Sequence, residues 1–222
     1  MAKTKTAYVC NDCGSDHSKW QGQCQDCGAW NTLVEVRLGA PSGGAGTARK
    51  QGYAGAVGEL QALSSVQIED LPRIASGFAE LDRVLGGGYV PGSAVLLGGH
   101  PGAGKSTLLL QVLCQLASSR RCLYVTGEES LQQVAMRARR LGLQADDLQL
   151  YSETSLEAIL AQAARYQPAL MVVDSIQVLH SEQVSSAPGS VSQVRECAAA
   201  LTRFAKQSNT VLIMVGHVTK DG

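Results

Sequence analysis

From about Val66 to the end of the chain, short glycine-bounded apolar runs alternate with longer segments whose apolar residues recur every three or four positions. The first pattern is that of a buried strand, the second that of a helix. The run GSAVLLGG (Gly92–Gly99) predicts a strand, and KSTLLLQVLCQLASS predicts a helix that opens directly after a glycine-rich turn. RCLYVTGEE predicts a second buried strand, followed by the helix SLQQVAMRARRLG with Ser130 as N-cap and Gly142 as its stop. Three further strands, LQLYSE, ALMVVDSIQVL and TVLIMVGHV, are separated by the helices SLEAILAQAARYQP, ended by Pro168, and SVSQVRECAAALTRFAKQSN. Strands apolar on both faces that alternate with helices predict an α/β fold, its mainly parallel sheet flanked by helices.

The first part of the chain has a different texture. Residues 1–36 gather around four cysteines, and Leu38–Gly58 is rich in Gly, Ala and Ser without a sustained apolar period. That composition predicts a flexible linker over residues 37–65, between a small N-terminal module and a core over residues 66–222.

Composition changes this picture little. At 222 residues, 45% hydrophobic and 17% charged, the chain fits one sizeable core and a small accessory module. The formal net charge is zero, so any contact with a polyanion has to come from local basic patches. No run approaches the roughly 20 apolar residues of a membrane span. The start, MAKTKTAYVC, lacks the apolar centre of a secretory signal, so a cytoplasmic location is expected. In a reducing compartment the scattered Cys114, Cys122 and Cys197 are expected to be buried, free side chains.

Chemistry enters with Gly99-His100-Pro101-Gly102-Ala103-Gly104-Lys105-Ser106, followed by Thr107. The stretch matches G-x-x-x-x-G-K-[ST] between a predicted strand and a predicted helix. Glycines let the backbone wrap a phosphate with its N–H groups inward, and the helix aims its positive end at the same anion. Lys105 is expected to reach the β- and γ-phosphates, and Ser106 to complete a Mg²⁺ shell. Asp174, closing a buried strand, is expected to hold Mg²⁺ through water. Glu128 and Glu129 end another strand, and a carboxylate there can polarise the attacking water; spacing alone barely separates the two.

Cys10-x-x-Cys13 and Cys24-x-x-Cys27, ten residues apart, allow four thiolates to converge on one Zn²⁺; iron suits the same ligands. A module this small needs the metal for much of its folding free energy. His17, between the pairs, is expected at the surface because the ligand set is already complete. Arg137, Arg139 and Arg140 read as a solvated helix face, the alternative being a face turned to a neighbouring subunit or DNA.

Taken in order, YVCNDCGSDHSKWQGQCQDCGAWNTL, GFAELDRVLGGGYVPGSAVLLGGHPGAGKSTLLLQ, LYVTGEES, MVVDSIQ and GHVTKDG resemble the bacterial RadA/Sms recombination proteins. The resemblance spans the chain apart from the linker, and joins a C4 zinc motif to a RecA-type ATPase core. It implies a DNA-dependent ATPase of repair and recombination, using ATP, Mg²⁺ and Zn²⁺. Such a protein forms a hexameric ring on single-stranded DNA, drives branch migration of recombination intermediates and works with the RecA recombinase. By position it implies that residues 99–107 bind the triphosphate, that Asp174 is the Walker B carboxylate and that Glu128 is the water-activating glutamate. It also places His217 as a γ-phosphate sensor, the plain alternative being a capping histidine. Residues 181–193 take the place of a first DNA-contacting loop, and Lys220 lies at the start of a second. The family's KNRFG motif and Lon-protease-like domain are not in this sequence, so a core truncated at its C-terminus is expected. The rival reading is a KaiC-like interaction module in which nucleotide sets the oligomeric state and the zinc module recruits a partner.

Overall fold

A computed structural model describes residues 5–38, 62–65, 72–144 and 146–217. Near the N-terminus, β1 (Lys5–Cys10) pairs antiparallel with both β2 (Asp16–His17) and β3 (Leu33–Leu38). The larger sheet contains β4 (Ala94–Gly99), β5 (Cys122–Thr126), β6 (Gln149–Ser152), β7 (Leu170–Asp174) and β8 (Val211–His217). Its order is β4-β8-β7-β5-β6 and every pairing is parallel. The helices are α1 (Ala79–Val84), α2 (Lys105–Ala117), α3 (Leu131–Arg140), α4 (Leu156–Tyr166) and α5 (Val191–Ser208). None of the described helices is long and apolar enough to cross a membrane.

The strand period sorts side chains onto two cores. Cys122, Tyr124, Leu170, Val172, Val211 and Ile213 pack with α2 residues such as Leu109 and Leu113. Their neighbours Leu123, Val125, Met171, Val173, Leu212 and Met214 pack with Ile159 of α4 and Leu201 of α5. Each such side chain contributes about 1.5–3 kcal/mol by leaving water. Burial on both faces is why these strands are apolar throughout rather than alternating. Cys114, Cys122 and Cys197 are free and buried, as expected.

Helix ends follow local chemistry. Ser130 accepts from the Gln133 amide while the Gln133 side chain accepts from the Ser130 amide, a reciprocal cap on α3. α4 ends on Gln167 in the left-handed conformation, one residue before Pro168.

Two strand expectations need correction. β7 stops at Asp174 and does not run on to Leu179, because its pairing with β5 ends at Thr126↔Asp174 and the chain turns into a 3₁₀ turn, Ile176–Val178. β4 is not fully buried: it lies at the edge of the sheet, and Leu96 is 65% exposed. The pattern also gave no sign of α1.

Before β4, Ile74 and Tyr89 exchange backbone hydrogen bonds of 2.8 Å. Gly88 lies against this bridge with φ +122, and a Cβ there would come 2.6 Å from the Ile74 carbonyl oxygen. Gly88→Ala is therefore expected to destabilise the core by about 2 kcal/mol or more, read as an earlier midpoint in urea unfolding.

Candidate functional site

In a parallel sheet every strand ends at the same edge, and here that edge gathers the residues singled out above. Gly99, where the phosphate loop begins, pairs with His217, and Thr126 pairs with Asp174. The loop itself is open. Gly102 and Gly104 take φ +80 and +83, and a Cβ added at either would meet nothing within 4 Å. Such backbone, with open space beside its glycines, is suited to an anion approaching its N–H groups. Lys105 opens α2, is 8% exposed, and donates through Nζ to the carbonyls of Gly99 and His100 at 2.7 and 2.8 Å. Its ammonium is thus folded back along the loop, within reach of whatever the loop holds. Ser106 and Thr107 follow in the first turn, half-buried.

The acidic residues separate once their partners are known. Asp174 is 7% exposed and accepts a 2.5 Å hydrogen bond from the Tyr124 hydroxyl. Glu128 accepts from the Ser175 hydroxyl and lies 3.2 Å from His217 Nε2. Glu129 pairs instead with Arg137, and its backbone is tied to the Thr126 hydroxyl at 2.8 and 3.1 Å. Glu129 is therefore occupied by a structural ion pair, whereas Glu128 stands beside Ser175, the residue that follows Asp174. Arg137 is not on a solvated face: its side chain is 14% exposed, because α3 turns it toward Glu129. Lys220 lies outside the described residues.

His217 has one nitrogen facing Glu128, while its Nδ1 is buried without a hydrogen-bond partner among the described residues. The Oε1 of Gln177 is in the same condition, and Gln177 Nε2 donates to the His217 carbonyl at 3.2 Å. Buried polar atoms left unpaired are uncommon and mark places where a ligand or water completes the network. Tyr124, Ser175 and Gln177 were missed by the reading of the sequence. A tyrosine inside a fully apolar strand was the one available signal, since its hydroxyl needs a partner when buried.

The four clustered cysteines come together as the spacing requires. Cys10 and Cys27 sulfurs are 3.7 Å apart, Cys13 and Cys24 3.6 Å, and all four lie within 4.8 Å of one another. Sulfurs at about 2.3 Å from a tetrahedral zinc would be about 3.8 Å apart, so the cluster fits that ion. Left-handed Gly14 and Gly28 turn back to donate to the carbonyls of Cys10 and Cys24, both at 2.9 Å. Burial raises the Cys10 thiol, but bonds from Thr32 and the Cys13 and Asp12 amides outweigh it and bring the pKa to about 6. The Ala29 amide lowers Cys27, yet burial and three neighbouring sulfurs push it up to about 12. Four sulfurs this close cannot all ionise without a cation among them. His17 is not a free surface residue. Its side chain is 10% exposed, with Nε2 3.5 Å from Cys24 Sγ and 3.4 Å from Asp26, since the β1–β2 pairing carries it over the knuckle.

Comparison with known proteins agrees with this geometry. Residues 59–222 match the family model described as AAA domain, and residues 8–35 match the one described as Rubredoxin metal binding domain. Among curated proteins, the chain is 62% identical to DNA repair protein RadA of Escherichia coli K12, across all of this chain and 49% of that protein. It is 58% identical to DNA repair protein RadA of Pseudomonas aeruginosa, across all of this chain and 48% of that one. For the protein of the same name in Bacillus subtilis the figure is 46%, with the same coverage. The chain thus spans about half the length of the curated relatives it matches. A P-loop strand–turn–helix on a parallel sheet, a four-cysteine metal ribbon before it, and both family matches make one statement: the chain belongs to the AAA-domain family and resembles the RadA/Sms proteins from end to end.

Proposed function

We propose that this protein is an ATP-hydrolysing motor of DNA repair and recombination. The observation that carries the proposal is Glu128, held between Ser175 and His217 at the sheet edge where the open phosphate loop begins. In this reading the amides of residues 99–107 hold the triphosphate, Lys105 neutralises its outer phosphates, and Glu128 takes a proton from the attacking water. Ser106 and Asp174 are the residues that would hold Mg²⁺, which when bound neutralises charge on the phosphate oxygens. His217 turns toward Glu128, so the loss of a phosphate there can be felt by β8 and the chain that follows it.

The DNA side of the proposal rests on the names of the relatives and on the motif order. By that likeness the protein works as a hexameric ring on single-stranded DNA, drives branch migration of recombination intermediates, and acts beside the RecA recombinase. Contacts to the γ-phosphate would order the DNA loops, and hydrolysis would release them. Turnover by the purified protein should rise when single-stranded DNA is added; folded, ATP-binding protein indifferent to DNA would count against the motor.

Glu128→Gln tests the assignment of the base. ATP binding should persist while turnover falls by about 10²–10⁴, the usual range for a lost general base. Glu129→Gln should lower melting temperature more than turnover, and the reverse ranking would exchange the two roles.

One observation favours a second reading. Residues 181–193, in the position of the first DNA loop, contain a carboxylate and no cation. A nucleotide-gated interaction module would need none. Assembly induced by ATP alone, unaltered by later addition of DNA, would favour that rival.

A further inference from the structure

The Tyr124 hydroxyl is a buried group that the proposed mechanism does not use. Tyr124 lies on β5, between β7 and β6, is 0% exposed and packs in the α2-side core, in a strand that is otherwise apolar from Cys122 to Val125. Burying a hydroxyl there is costly unless it is bonded. Its bond is to Asp174 Oδ2 at 2.5 Å, the short distance of a charge-assisted O–H···O⁻ contact. Cross-strand register explains the meeting. Thr126 is opposite Asp174 and Tyr124 opposite Val172, so the phenol lies two residues back on the same face as the carboxylate.

We propose that Tyr124 is a positioning residue for the nucleotide's divalent cation: its hydroxyl locks one oxygen of Asp174 and leaves the other to face the metal. No bond to Oδ1 is found among the described residues, so without Tyr124 the carboxylate is free to rotate about its terminal torsion. Groups that orient a metal-holding side chain commonly change metal affinity or activity about 10–100-fold when removed.

The inference rests on the ATPase reading, and the experiment separates the two. Wild-type protein and Tyr124→Phe are compared for Mg²⁺ half-saturation, by titrating Mg²⁺ into protein holding a fluorescent ATP analogue and by the Mn²⁺ electron paramagnetic resonance signal in its place. Tyr124→Phe should need about tenfold more Mg²⁺ or worse, with nucleotide affinity in EDTA unaltered. Thr210→Val is the stability control. It removes another buried bond, 2.8 Å to the Pro168 carbonyl at the opposite end of the sheet, and should lower melting temperature without moving the Mg²⁺ midpoint. If Tyr124→Phe shifts only the melting temperature, as Thr210→Val does, the positioning role is refuted. If wild-type protein binds no nucleotide at all, the ATPase reading itself falls.

Discussion

Lys105→Ala is expected to reduce ATP turnover by about a hundredfold or more while leaving the fold and the metal module intact. Lys105 is 8% exposed and its ammonium is hydrogen-bonded to the Gly99 and His100 carbonyls, so it is already fixed along the loop before any nucleotide arrives. A charge held in place by the backbone acts on developing phosphate charge without further reorganisation, which is why its removal is costly. The same truncation frees two carbonyls to water at an open loop, so the effect on stability should be small. Steady-state ATPase assays with circular dichroism as the folding control check this. Unaltered kcat with folded protein would withdraw Lys105 from the site.

Chelation of the metal should have the second large effect, and confine it to residues 5–38. Metal binding to small cysteine modules supplies about 10–16 kcal/mol of apparent free energy at neutral pH. The ribbon's own core, Cys10, Cys24 and Leu33 with Tyr8 packed against them, cannot replace that by burial, since apart from the two cysteines it holds one leucine and a half-buried tyrosine. The thiols offer a direct count. Of the seven cysteines, Cys10, Cys13, Cys24 and Cys27 should react with a thiol reagent on chelation, whereas Cys114, Cys122 and Cys197 wait for the core to unfold. Seven thiols reacting together would mean that the metal stabilises the whole chain, and four reacting without chelator would mean that no metal is held. Substituting Cys24 should be harsher than substituting Cys13, since Cys24 is buried and Cys13 exposed.

Much of the candidate site was legible because it depends on local pattern. The phosphate loop needs glycines at fixed offsets followed by Lys105 and Ser106, and these are consecutive in the chain. The knuckles need two cysteines three positions apart, each pair followed by a glycine able to take positive φ. Asp174 could be placed because an acidic residue closing an apolar strand is rare enough to carry meaning. The interior of the site was less legible. Glu128 and Glu129 are adjacent and chemically identical, and only the reach of Arg137 across from α3 separates a structural carboxylate from one beside Ser175. His17 could not be seen as a partner of Cys24, because a two-residue strand pairing, Tyr8↔His17 and Val9↔Asp16, places it there.

The sequence by itself determined what each segment can be: alternating strands and helices, a phosphate loop and a four-thiol metal cluster, all set by periodicity and spacing within a few tens of residues. Only the tertiary structure decided which side chains meet: Tyr124 with Asp174, 50 residues apart, and His217 with Glu128, 89 apart. Those meetings follow from strand order and register in the sheet. Order and register are fixed by how two cores pack at once, a property of the whole chain that no single stretch of it carries.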